Sequence, residues 1–262
     1  SRYFIQTIKK SKSGADILSS LLQLCKGARQ KLIVIIDEYD NFANTIISTE
    51  GEGAYRALTH GTGFFRTFFN SLKEGTTGTG APISRIFITG VSPITMDEVT
   101  SGYNIGKNIT TEPAFHRMLG FTRQDTRQMI EYYRENGLIK DPTDYLLNLI
   151  TDWYGNYRFY PKDEEKLFNP DMVLYFLDKY MSRQEIPGEL IDRNVRMDYE
   201  KLRHLIIVDK AQGKVSNGNF ERLKEIIDEG KIFSPLVSGF PLENLASREN
   251  FISLLFYFGL LT

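Results

Sequence analysis

The sequence predicts an α/β fold joined to an all-α part, and three observations carry that prediction. Leu32-Ile33-Val34-Ile35-Ile36 is five branched apolar residues with no polar alternation, the pattern of a strand covered on both faces in a parallel sheet. A second extended run, Ile83 to Thr89, lies beside it after a long helical stretch. From Phe115 onward the apolar spacing turns helical.

Taken in order, Ala15 to Ala28 places Ile17, Leu18, Leu21, Leu22, Leu24 and Cys25 on a helical period, with Ser11 or Ser13 as the cap. The strand Leu32 to Ile36 follows. Asn44 to Gly53 is polar and glycine-containing, which predicts a loop beyond the strand end. Ala54 to Lys73 predicts a helix with an aromatic inner face from Phe64, Phe65, Phe68 and Phe69, open to interruption at Gly61 and Gly63. Gly75 to Gly80 is glycine- and threonine-rich, but no Gly-Lys-Ser/Thr follows it and a strand comes next, so it reads as a surface turn. Gly102 to Asn108 contains Gly106-Lys107, yet its spacing and Asn108 fail the phosphate-loop pattern.

Three helices come next. Thr122 with Asp125 resembles a capping box for a helix through Tyr133. Asp141-Pro142 opens a second with Leu146, Leu147, Leu149, Ile150 and Trp153 as its apolar face, and Asn169-Pro170 caps a third carrying Val173, Leu174, Phe176, Leu177 and Tyr180. They predict a small bundle. Helices around Met197 to Val208, Phe220 to Asp228 and Asn250 to Leu261, with a strand-like Ile232 to Val237, predict a winged-helix-like region. Its Arg193, Arg196, Lys201 and Arg203 alternate with Asp192, Asp198 and Glu200, which favours a packing role over nucleic-acid binding.

The chemistry concentrates after the first strand, where Asp37-Glu38-Tyr39-Asp40 begins. Ligands gather at the carboxyl ends of parallel strands, and two acids there suit a Walker B site. Asp37 would hold Mg²⁺ through water, and Glu38 would polarise the water that attacks a γ-phosphate. Thr89 and Ser92 end the second strand and are candidates for a sensor touching that phosphate, or for caps of the next turn.

Other classes are disfavoured. The chain has 262 residues, 41% hydrophobic and 25% charged, ordinary values for a globular protein. Lys and Arg total 32 against 33 for Asp and Glu, so no overall field draws it to nucleic acid or an anionic membrane. One cysteine, Cys25, cannot form an internal disulfide and fits a reducing, cytoplasmic setting. The isolated His60, His116 and His204 show no metal-ligand spacing, and Gly90 to Ile94 lacks the second glycine of a nucleophile elbow.

Six segments in order, LIVIIDEYD, FITGVS, Gly120-Phe121-Thr122, YGNYRF, FNP and SLLFYFGLLT, resemble the bacterial AAA-ATPase-like family. The resemblance implies part of a P-loop NTPase core (RecA/AAA-like) over residues 1–114, a helical lid over 115–192 and a winged-helix-like region over 193–262, with a nuclease-like domain often following. It implies ATP and Mg²⁺ in the intact protein, Asp37 as metal-associated acid, Glu38 as catalytic acid, Thr89 and Ser92 in the sensor segment, and Arg158 as a phosphate-facing residue of the lid. Asn156 departs from the pattern where a second glycine is expected. The larger departure is the P-loop, which the resemblance places upstream of the first strand and which none of the residues there matches. The expectation is therefore the later part of an ATPase region that switches through ATP binding and hydrolysis when intact and is inactive alone. The alternative is a non-hydrolysing scaffold for a protein partner or for self-association. No run is long enough to span a membrane.

Overall fold

The computed structural model describes residues 5, 6, 9, 13–91, 106–191 and 218–261. Ser92, Gly102 and the helix expected around Met197 to Val208 lie outside them. The chain forms two compact units, one from Ser1–Lys107 with Glu200–Phe258 and the other from Asn108–Tyr199 with Gly259–Thr262.

In the first unit, helix α1 (Gly14–Gly27) starts at Ser13, whose hydroxyl accepts the Asp16 amide at 3.2 Å. Strand β1 (Leu32–Ile36) pairs in parallel with β2 (Ile83–Ile88), with Ile33 opposite Arg85 and Ile35 opposite Phe87. Between them run α2 (Asn41–Thr49), α3 (Glu52–Thr59) and α4 (Phe64–Thr76). The core joins Leu22 of α1, Tyr55 of α3, and Phe65, Phe69 and Leu72 of α4 to Ile83, with Leu32, Val34, Ile36, Ile86 and Ile88 packed against it. Gly75 lets α4 approach closely, since a β-carbon there would stand 2.7 Å from Ile83 Cδ1 and 3.0 Å from Leu22 Cδ1.

Two expectations are corrected here. Among the described residues, nothing covers the second face of β1: Leu32, Val34 and Ile36 turn toward the helices, whereas Ile33 and Ile35 are 68% and 72% exposed. An all-apolar run does not say how many faces are covered, because either alternation leaves branched residues on both sides. Nor is Asn44 to Gly53 a loop. It contains most of α2 and the start of α3, joined at Gly51, whose φ of 84° is a left-handed turn conformation. The suspected interruption at Gly61 and Gly63 does separate α3 from α4. A side chain at Gly63 would strike the Leu58 carbonyl at 2.2 Å.

The same unit holds α8 (Asn219–Glu229) and α9 (Arg248–Tyr257), numbered after the three helices of the other unit. Ile232 to Val237 forms no strand: among the described residues it has no ladder partner, and Phe233 is 87% exposed. β-branched composition proposes a strand, but only a neighbour's hydrogen bonds make one.

The second unit is the predicted bundle, α5 (Arg123–Glu135), α6 (Thr143–Tyr154) and α7 (Pro170–Arg183). Ile130, Leu146, Leu147, Ile150, Tyr154, Val173, Phe176, Leu177 and Tyr180 form its core. Trp153 is 52% exposed and Tyr154 is buried in its place, because 146, 147, 150 and 154 form the stripe and 153 falls on its rim. Leu174 is likewise exposed. Burial pushes the Tyr154 phenol up to about 12, so it stays protonated and donates to the Leu190 carbonyl.

At α5 the capping box is complete: the Thr122 hydroxyl accepts the Asp125 amide at 3.1 Å, and the Asp125 carboxylate accepts the Thr122 amide at 2.8 Å. The Thr122 hydroxyl also donates to that carboxylate, and these bonds hold its pKa below the ordinary aspartate value. A lowered pKa contributes stability that is present above the unfolded value, near about 4, and is lost as pH falls through the folded one. Thr122→Ala should therefore cost about 1 kcal/mol at pH 7, and less in acid. Urea unfolding at pH 7 and pH 3 checks this, and an equal loss at both would remove Asp125 from the account.

Candidate functional site

The parallel pairing runs one step beyond both strands. The Thr89 amide donates to the Ile36 carbonyl at 2.8 Å, and the Tyr39 amide donates to the Thr89 carbonyl at 3.0 Å. Thr89 is thereby set beside Asp37, and its hydroxyl donates to Asp37 Oδ1. The Glu38 amide donates to the same oxygen at 3.0 Å, so Oδ1 is taken up internally. The alternation of β1 carries on to Asp37, which ends the uncovered face formed by Ile33 and Ile35. Both Asp37 and Glu38 are solvent-exposed.

Glu38 adopts φ of 49°, left-handed backbone that glutamate adopts only at a cost. Its carbonyl accepts the Asn41 amide at 3.0 Å, and its carboxylate accepts the Asn41 side-chain amide at 3.1 Å, closing a tight turn into α2. Arg29 and Gln184 share this left-handed backbone, with φ of 54° and 57°. Glu38→Gly should leave thermal stability unchanged or raise it by up to about 1 kcal/mol, glycine being free of the left-handed penalty but losing more entropy. Calorimetric melting decides this. A loss beyond about 1 kcal/mol would mark the Glu38 side chain as structural.

Sequence reasoning named Asp37, Glu38 and Thr89, and the fold brings these three together. It missed Asp40 and Gly90. Asp40 is 3% exposed and accepts the Val91 amide at 3.2 Å, while a β-carbon on Gly90 would lie 2.3 Å from the Tyr39 ring and 2.6 Å from Asp40 Oδ1. The available signals were the fourth residue of the acidic run and the glycine directly after Thr89.

Arg158 belongs to the other unit. It follows Tyr157, which bridges to Leu167 through amide bonds of 3.1 and 2.8 Å. Arg158 is half-buried, and its Nε is enclosed with no hydrogen-bond partner among the described residues.

Mg²⁺ takes hard oxygen donors and keeps several of its waters. The exposed Asp37 carboxylate and the adjacent Thr89 hydroxyl fit that preference. A triphosphate needs a further cradle of amides and a lysine, and no Gly-x-x-x-x-Gly-Lys-Ser/Thr occurs in this sequence.

Paired acids thus stand at the end of a parallel strand, one of them bonded to a hydroxyl from the end of the neighbouring strand. Residues 2–100 match the AAA-ATPase-like family model, described as Predicted AAA-ATPase. That stretch includes both strands and all three site residues. Comparison with curated proteins and with solved structures returned no match. Among the described residues, no helix is long and apolar enough to cross a membrane.

Proposed function

We propose that this chain carries the acidic and sensor elements of an ATP-dependent molecular switch in the bacterial cytoplasm. Bound Mg²⁺ and ATP would supply a polarised γ-phosphate. Asp37 would hold the cation's water shell through its outer oxygen, and Glu38 would orient and deprotonate the attacking water. Thr89 would keep Asp37 in one orientation. The Thr89 to Asp37 hydrogen bond carries the reading, since it joins two strand ends that the sequence separates by 52 positions. The family match over residues 2–100 supports it.

This chain should hydrolyse no measurable ATP and bind it weakly, because two carboxylates without a phosphate cradle repel the nucleotide. Calorimetric titration of ATP with excess Mg²⁺ tests this. Micromolar affinity abolished by Asp37→Ala would mean that the chain holds a phosphate site outside the motifs recognised above.

A second reading is a non-hydrolysing scaffold. It draws on the same missing loop motif and on the open face at Ile33 and Ile35, which suits a protein partner or self-association.

A further inference from the structure

We infer that Asp40 is a positioning residue that latches the two strand ends together and so fixes the Thr89 hydroxyl on Asp37. Aspartate at the first position before a helix ordinarily caps it by accepting an amide from the helix's own first turn. Asp40 occupies that position before α2, yet its side chain makes no capping bond. The buried carboxylate instead reaches across to the Val91 amide, 51 positions away.

Gly90 makes this reach geometrically feasible. Any side chain there would collide with the Tyr39 ring and with Asp40 Oδ1, so the loop after β2 lies flat against the turn after β1. Three cross-connections result: Thr89 amide to Ile36, Tyr39 amide to Thr89 carbonyl, and Val91 amide to Asp40. Two of them hold Thr89 itself and the third holds the chain two residues further on. With its backbone held at positions 89 and 91, the Thr89 side chain has one orientation toward Asp37. Because α2 begins at the residue after Asp40, a shift of Thr89 pulls on the start of that helix as well. Occupancy at Asp37 is thus coupled to the position of α2. The coupling to a cation rests on Asp37 being the metal-facing acid, whereas the fixing of Thr89 stands on the hydrogen bonds alone.

The test uses the full chain and two readouts. The first is the set of Thr89 χ1 scalar couplings, which report one rotamer or an average. Wild type should show a single rotamer and Asp40→Ala an average, while Asp40→Asn, whose amide oxygen still accepts the Val91 N–H, should restore the single rotamer. The second readout is Mn²⁺ alone, followed by paramagnetic broadening of signals around Asp37. Asp40→Ala should weaken its binding by about 10-fold, as loss of a supporting residue does at metal sites, and Asp40→Asn should recover it. Should Asp40→Ala fail to fold, Gly90→Ala carries the same expectation, its methyl group forcing the two turns apart. A single Thr89 rotamer in both Asp40→Ala and Gly90→Ala would overturn the latch, whatever Mn²⁺ does. Broadening that survives Asp37→Ala, or is absent from wild type, would instead overturn the metal reading of Asp37 and leave the couplings to decide the latch.

Discussion

Glu38→Gln should slow ATP turnover by about 10²- to 10⁴-fold in a polypeptide that joins this chain to a Gly-x-x-x-x-Gly-Lys-Ser/Thr loop, the range expected for losing a positioned general base. ATP affinity should change little, because glutamine keeps the shape of the side chain and its acceptor oxygen while removing only the proton-accepting charge. The Asn41 side chain can still donate to that oxygen, so the turn into α2 survives. Phosphate release and nucleotide titration measure the two quantities separately. Unchanged turnover would remove Glu38 from the chemistry, and a matched loss of affinity would assign it to binding. Asp37→Ala offers the contrast: losing the Mg²⁺-associated acid should weaken binding of the metal-nucleotide complex as well as turnover.

Phe176→Ala should destabilise the helical unit by about 3–5 kcal/mol, the range for removing a fully buried aromatic ring. Phe176 is 0% exposed, with ring centroids 6.3 Å from Tyr180 and 6.4 Å from Tyr154. Its neighbours are themselves pinned, Tyr180 by its hydroxyl bond to Asp141 at 2.7 Å and Tyr154 by its bond to Leu190. They cannot collapse into the space, so the cavity term is retained. Against a typical domain stability of about 5–15 kcal/mol the loss is large. The single tryptophan, Trp153, lies in this unit and reports its unfolding by fluorescence in urea. A change under about 1 kcal/mol would mean that the bundle is not packed around this ring.

Helices were legible where their ends carry chemistry. Ser13, Thr122 and Asn169 each cap the helix expected of them, because a capping bond spans only three residues and needs nothing from the rest of the fold. The helix over Asn41 to Thr49 has no such bond at its start, and its polar composition concealed it. Helical period places Trp153 and Leu174 inward, yet both are exposed, because period sets an angle and not the width of the neighbour that covers it.

At the site, the sequence by itself determined that two acids end an apolar strand and that a hydroxyl residue ends the next. Those facts follow from residue type and order. Only the tertiary structure decided that Thr89 meets Asp37, that Glu38 is held in left-handed backbone, and that Asp40 turns from its own helix to the Val91 amide. It also decided that Ile33 and Ile35 are exposed while their neighbours in β1 pack on the helices. The physical reason is range. Caps and periods are set by neighbours within a turn or two, whereas strand pairing and burial depend on groups 51 or 52 positions apart, whose meeting local preference does not encode.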